Sequence, residues 1–369
     1  MNFDLSDEQS LLRDMIERFG RDRYDPAKRL LYVREPDGFD REGWAMLADA
    51  GLLAFPFAEA LGGLGGGSVE LVTVMEAIGR YAAVEPILPV VLMAGGVLAA
   101  AGSPAQVAEL LPQLTSGERF LALAHFERAN RFNSRDVQTR ATRQVQGVAV
   151  TGAKICVQGG PFADDLIVTA MDQEGRLGLY RIDAAAAGIA RRDYRLVDGS
   201  LASDLTFDAT AAEPLAGGRS ELDEVLVDVR LAICAELIGL MGQIFDATLE
   251  YVKTRRQFGQ EIGRFQAIQH RMADNYAAVE LSRSQLYRAA AQPRSGAGRA
   301  AAIGGAKAYI SANAMALGED CIQLHGGVGT TDELMVGQAF RRVLLLSSLF
   351  GDADWETREY LRHAVPVPA

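Results

Sequence analysis

Cysteine is scarce. Cys156, Cys234 and Cys321 are the only three in 369 residues, too few and too scattered for a disulfide framework or a zinc site. A reducing compartment, the cytoplasm, is the expected location. A basic excess is lacking as well. Lys and Arg total 37 against 48 Asp and Glu, a formal charge of −11. No basic run supplies the cationic face that a phosphate backbone demands, so nucleic acid is not an expected partner. Long apolar stretches are also missing. The longest, Pro89 to Gly102, carries three glycines and falls short of the roughly 20 residues of a membrane span. A buried helix is expected there, and no membrane span. The acidic opening, Met1-Asn-Phe-Asp-Leu-Ser-Asp-Glu-Gln, has no positive flank leading into an apolar segment, so no signal peptide is expected.

What is present is ample material for a core. A composition of 49% hydrophobic and 23% charged residues is that of an ordinary globular protein, and the length implies two or three domains. Three zones follow from the periodicity. Residues 1–115 read as helices. Ser6 with Gln9 three residues later is a capping box ahead of Leu11, Leu12, Met15, Ile16 and Phe19, which recur at helical spacing. Glu42–Leu53 and Val69–Arg80 continue the pattern, joined by the glycine-rich Glu59–Ser68 with Ser68 as an N-cap candidate. That loop lacks the Lys-Ser/Thr ending of a P-loop, and no apolar strand precedes it.

Residues 116–215 change period. Phe120–Ala124, Gln146–Thr151, Asp165–Ala170, Leu177–Ile182 and Leu205–Asp208 are short β-type runs separated by turn residues. They predict a compact β-sandwich or barrel and argue against a Rossmann arrangement. Residues 216–369 are helical again. Asp223–Gln257, Phe265–Arg288, Gly298–His325 and Val336–Leu349 imply a four-helix bundle. The fold class expected is α+β: an N-terminal helical domain, a central β-domain and a C-terminal bundle.

Two motifs stand out in the last zone. Arg255-Arg-Gln-Phe-Gly leads on to Phe265-Gln266, and Ile322-Gln323-Leu-His-Gly-Gly-Val-Gly makes a glycine turn. Arginine presents a planar, permanently charged fork suited to a pyrophosphate. Glycine lets backbone approach a ligand closely, as expected of Gly326 and Gly327. The order of zones, the opening Phe3-Asp-Leu-Ser-Asp-Glu-Gln, Gly62-Gly-Leu-Gly-Gly-Gly and these two motifs together resemble the acyl-CoA dehydrogenase family of flavoproteins over essentially the whole chain.

That resemblance implies an acyl-CoA dehydrogenase fold and FAD-dependent α,β-dehydrogenation of an acyl-CoA thioester. It implies an electron-transfer flavoprotein as acceptor and a homo- or hetero-tetramer. Arg255 is then expected to reach the FAD pyrophosphate across a subunit interface, with Phe258 beside the adenine portion, Gln266 and Gln323 supplying amide contacts, and Gly326 and Gly327 forming the turn. Arg230 matches the family's substrate-side arginine on the first bundle helix.

The catalytic glutamate is not where the family keeps it. Ungapped counting from Arg342 puts Gly351 at the usual base position, and the alternative position just before Arg230 is Val229. Three readings follow: Asp352 is the base after a one-residue shift, a different subunit donates it, or the chain is catalytically silent. The first FAD segment departs too, reading Ala124-His-Phe-Glu-Arg-Ala-Asn-Arg-Phe-Asn, and Ile155-Cys-Val-Gln-Gly-Gly replaces a Trp-Ile-Thr segment. Both departures resemble the small-subunit branch labelled pimeloyl-CoA dehydrogenase small subunit. A silent assembly partner and a flavin monooxygenase on the same fold are the alternatives. His325, in the glycine turn, is expected to pack or cap.

Overall fold

The computed structural model describes residues 5–129, 131–133, 136–145, 147–294 and 298–364. Phe3, Asp4, Asn130 and Gln146 of the segments above lie outside them. Helices occupy the N-terminal part: α1 (Asp7–Arg23), α2 (Pro26–Arg34), α3 (Arg41–Asp49), α4 (Ser68–Arg80), a π-helical segment Ile87–Gly95, α5 (Gly96–Ala101) and α6 (Pro104–Thr115). Strands follow: β1 (Leu121–Ala124), β2 (Arg140–Arg143), β3 (Val148–Gln158), β4 (Asp165–Met171), β5 (Leu177–Asp183), β6 (Ile189–Arg195) and β7 (Leu201–Gly218). Then come α7 (Arg219–Thr254), the short pair β8 (Arg256–Gln257) and β9 (Gln260–Glu261), α8 (Gln266–Ala290), α9 (Arg299–His325), α10 (Met335–Ser348) and α11 (Ala353–Ala364). No helix among the described residues is long and apolar enough to cross a membrane.

Local chemistry explains most of these boundaries. The Ser6 hydroxyl accepts the Gln9 N–H at 3.2 Å and the Gln9 side chain accepts the Ser6 N–H at 2.9 Å, the capping box expected from the sequence. At α4 the cap is Gly67 rather than Ser68, which is already helical. The Glu70 carboxylate reaches back to the Gly67 N–H at 2.7 Å and does the capping work itself. The apolar run Pro89–Gly102 is buried helix for most of its length, wound as a π-helix up to Gly95.

The chain forms two compact units: Tyr32–Gly66 with Val84–Val229, and Met1–Leu31 with Gly67–Ala83 and Arg230–Ala369. In the first, the strands run β1-β4-β2-β3-β7-β5, and β5 pairs back onto β4, closing a barrel of β4, β2, β3, β7 and β5, with β6 added on β7. Closure removes free sheet edges. Its interior is filled by Val150, Val157, Leu166, Val168, Ile182, Leu205 and Phe207 with small alanines. Outside the barrel, Phe39, Trp44, Phe120 and Phe162 pack ring to ring at 5.2–6.0 Å.

Two strands escape the sequence reading. β2 (Arg-Ala-Thr-Arg) and β6 (Ile-Ala-Arg-Arg-Asp-Tyr-Arg) are largely exposed and charged, so hydrophobic alternation does not mark them. In the second unit α8, α10 and α11 pack around the long helix α9. α4 and α7 meet backbone to backbone. A Cβ on Gly239 would strike the Glu76 carbonyl oxygen, and one on Gly79 would strike that of Glu236.

Candidate active site

The expected cofactor residues gather at one end of the second unit. Val252 near the end of α7, Met272 on α8 and Leu324 at the end of α9 form a small apolar cluster with Leu249, Tyr251, Ile262 and Ile268 around it. This cluster ties together the three elements that carry Arg255, Gln266 and Gln323–Gly327. Arg255 follows α7 directly and is exposed. Its N–H continues the helix to the Tyr251 carbonyl at 2.8 Å, while its guanidinium makes no ion pair among the described residues. Arg256, by contrast, faces Glu261 at 3.5 Å.

Phe258 sits at the tip of the β8–β9 hairpin with φ +53° and is 90% exposed, its ring edge-on to Phe265 at 6.2 Å. A bulky residue at positive φ is strained, and a Phe so exposed gains nothing from burial within its own chain. Gln266 opens α8 and Gln323 lies in the last turn of α9, both exposed.

A Cβ on Gly326 or Gly327 would meet nothing within 4 Å, so no clash inside the chain excludes side chains there. Gly326 is explained by its φ of +66°. Gly327 faces open space, so the chain itself sets no need for glycine at that position. His325 packs, as expected: its ring stacks on Tyr251 at 4.3 Å and its Nδ1 lies 2.9 Å from the Cys321 carbonyl.

A second locus surrounds Gly351. Asp352 is the N-cap of α11: its Oδ1 accepts the Trp355 N–H at 2.8 Å, and its carbonyl accepts the Glu356 N–H at 3.0 Å. The carboxylate read as a base is thus engaged in starting a helix. Gly351 has φ +134°, and a Cβ there would lie 2.6 Å from Glu356 Oε1 and 2.9 Å from Trp355 Cδ1. A side chain at position 351 would sit at a strained φ and require the Glu356 side chain to shift.

Arg230 on α7 faces the buried Glu356 carboxylate, Nε to Oε1 at 3.2 Å. Lys307 on α9 is fully buried and donates to the Gly351 carbonyl. Burial pulls the Lys307 ammonium down to about 8 against the opposing pull of nearby acids. Burial likewise pushes Glu356 above its ordinary range, with Arg230 and Lys307 offsetting only part of the effect. Sequence reading missed Lys307 and Glu356. The signal available was Asp352 followed by Asp354 and Glu356, a helix start with acid in its first turn.

The departed β-domain segment has a structural anchor of its own. Lys154, fully buried on β3, donates to Glu127 at 2.6 Å and to Thr169 at 2.9 Å. Glu127 also accepts the Gln138 and Thr139 N–H groups and the Thr139 hydroxyl. Cys156, within the Ile155–Gly160 segment, has φ +52° in a β-bulge and donates its N–H to Asp204 at 3.2 Å. Elsewhere, a cavity of about 950 Å³ between α1, α4, α7 and α8, with Arg13, Glu76, Arg80, Arg283 and Tyr287 in its walls, shares no residue with either locus. Among the described residues no cluster of His, Cys, Asp and Glu could hold a metal ion.

Comparison with known proteins agrees with this architecture. The N-terminal domain model of acyl-CoA dehydrogenases matches residues 6–118 and the C-terminal domain model residues 217–364. The acyl-CoA dehydrogenase FadE27 of Mycobacterium tuberculosis is 30% identical over 343 residues, covering 90% of each chain. Among solved structures, the ChsE4-ChsE5 complex from Mycobacterium tuberculosis is 27% identical with a TM-score of 0.89 over the full length of both chains. The Tcur3481-Tcur3483 steroid ACAD variant is also 27% identical, with a TM-score of 0.88 over 97% of this chain and 98% of that one. On its helical domain, closed β-domain and bundle, and on these matches, the chain belongs to the acyl-CoA dehydrogenase family of oxidoreductases.

Proposed function

We propose that this chain is a subunit of an FAD-dependent acyl-CoA dehydrogenase that works in a tetramer with a second family member, in the manner of a small subunit, and passes electrons to an electron-transfer flavoprotein. The observation that carries this reading is the separation of the two loci along α7. Arg230 stands at the base position, and the helix runs on to Thr254, just before Arg255. At 1.5 Å per residue those 24 steps span about 36 Å. One copy does not bring its phosphate-binding arginine to its own thioester site. The exposed Arg255 and Phe258 are placed to serve a neighbouring subunit, and Gln266, Gln323 and the open Gly326–Gly327 turn to meet what that neighbour brings. The domain division at 1–115, 116–215 and 216–369 belongs to the same proposal.

The residues fit FAD in kind: a free guanidinium for pyrophosphate, an unburied aromatic for adenine, amides and an open glycine turn for backbone contacts. When bound, the flavin accepts the β-hydrogen of the acyl group as a hydride while a carboxylate takes the α-proton. The substrate thereby loses one proton and one hydride and gains a double bond. The protein's own part is to bind and orient the thioester and to exclude water. With glycine at position 351 and Asp352 capping α11, the carboxylate is supplied by the second subunit. Two relatives carry paired chain names, ChsE4-ChsE5 and Tcur3481-Tcur3483, which supports an assembly of two kinds of chain.

Coexpression with a neighbouring family member tests the proposal. The expected product is a yellow heteromer whose flavin absorbance is bleached by an acyl-CoA. A chain that stays colourless with every such partner would leave the silent assembly partner as the better reading.

A further inference from the structure

Two buried charges and one half-buried charge meet beside Gly351, one from each of three helices. Glu356 on α11 is 3% exposed, Lys307 on α9 is 0% exposed, and the Arg230 side chain on α7 is 25% exposed. The Glu356 carboxylate fills space that two glycines leave open. Its Oε1 faces Arg230 Nε at 3.2 Å, and it lies 2.6 Å from where a Gly351 Cβ would stand. Its Oε2 is 2.9 Å from where a Gly304 Cβ would stand. Lys307 donates to the Gly351 carbonyl. A Cβ on Gly351 would also lie 2.9 Å from Trp355 Cδ1.

A general base needs an open face toward the proton it takes, and this carboxylate belongs to a residue only 3% exposed. What it has is two cations in a poorly solvated space, where an uncompensated charge is costly. We infer that Arg230, Glu356 and Lys307 form a bolt that shuts this chain's base position, with Glu356 acting as counter-ion rather than as base. The inference rests on the dehydrogenase reading for its functional meaning. It adds that the chain is built to exclude a carboxylate at position 351, and has not merely lost one.

Two measurements test it. In the flavin-loaded heteromer, Glu356→Gln is expected to leave flavin content and the rate of flavin reduction by an acyl-CoA within about twofold, while lowering Tm. A loss of roughly a hundredfold or more in that rate with flavin content unchanged, the contribution of a general base, would overturn the bolt and make Glu356 catalytic.

The second measurement needs neither flavin nor turnover. Thermal unfolding is compared for Gly351→Ala, Glu356→Ala and the double variant of the full chain. The methyl at 351 collides with the Glu356 carboxylate, so removing that carboxylate is expected to relieve part of the Gly351→Ala penalty and make the double loss smaller than the sum. Strictly additive losses would show that position 351 is not closed by Glu356 and would sink the inference. A chain that takes up no flavin would defeat the dehydrogenase reading and still leave this cycle readable.

Discussion

At Asp352 the carboxylate accepts the Trp355 N–H at 2.8 Å, and an asparagine side chain would accept it equally well. Asp352→Asn is expected to leave both stability and flavin reduction unchanged, whereas Asp352→Ala costs about 1 kcal/mol of stability. Denaturant titration with stopped-flow flavin bleaching separates this from a base, for which the asparagine variant would be inactive. Glu127 makes a second residue-scale case. Burial opposes its charge, but Lys154, Thr139 and backbone donors outweigh that and hold its carboxyl below the ordinary range. A depressed carboxylate contributes stability that is present above its unfolded pKa and lost as pH falls through the folded one. Glu127→Gln is therefore expected to cost roughly 3 kcal/mol at neutral pH, because it leaves Lys154 buried without its counter-charge. Parent and variant midpoints should converge as pH falls through the depressed folded-state value of Glu127. A difference that persisted in acid would mean that packing, not charge, anchors the loop.

Elements were legible where apolar periodicity and capping chemistry agreed. α1, α4, α7, α8 and α9 follow from spacing, and the Ser6–Gln9 box fell where expected. α11 did not, because Asp352 was weighed as an acid for catalysis and not as a cap, and with that helix went Glu356. β2 and β6 were hidden by their own arginines. The α4–α7 crossing is decided by two glycines whose reason lies on the facing helix. Gly239→Ala would push its methyl into the Glu76 carbonyl oxygen and within 2.6 Å of the Arg80 nitrogen. Backbone atoms cannot step aside as a side chain can, so the expected cost is about 1–3 kcal/mol. Differential scanning calorimetry would show it as a lower Tm, and an unchanged Tm would mean the helices separate freely.

For the whole molecule, Arg255, whose guanidinium makes no ion pair among the described residues, and the Arg230–Glu356 pair lie at opposite ends of the α7 stretch from Arg230 to Thr254. Flavin retention is then tied to assembly, and any ligand that binds only the assembled form stabilises it by mass action. Arg255→Ala is expected to leave the isolated chain's Tm unchanged, since the side chain makes no ion pair among the described residues. In the heteromer it should weaken flavin binding by about tenfold or more, the worth of a charge-assisted contact. Flavin absorbance per protomer after gel filtration measures this. Undiminished flavin would move the pyrophosphate contact to another residue.

The sequence alone determined the order of helical, β and helical zones, because hydrophobic periodicity is a local property written residue by residue. Its motifs raised the expectations that Gly351 stands where the resembled family keeps a glutamate and that Arg255, Phe258, Gln323 and Gly326 serve a cofactor. Only the tertiary structure decided what those residues face. That Glu356, Lys307 and Arg230 converge on Gly351 depends on how α7, α9 and α11 pack around one another, and separations of 49, 77 and 126 positions along the chain (356 − 307, 307 − 230 and 356 − 230) carry no trace of that in spacing. A single carboxylate is a base, a cap or a counter-ion according to its neighbours, and neighbours are a property of the fold.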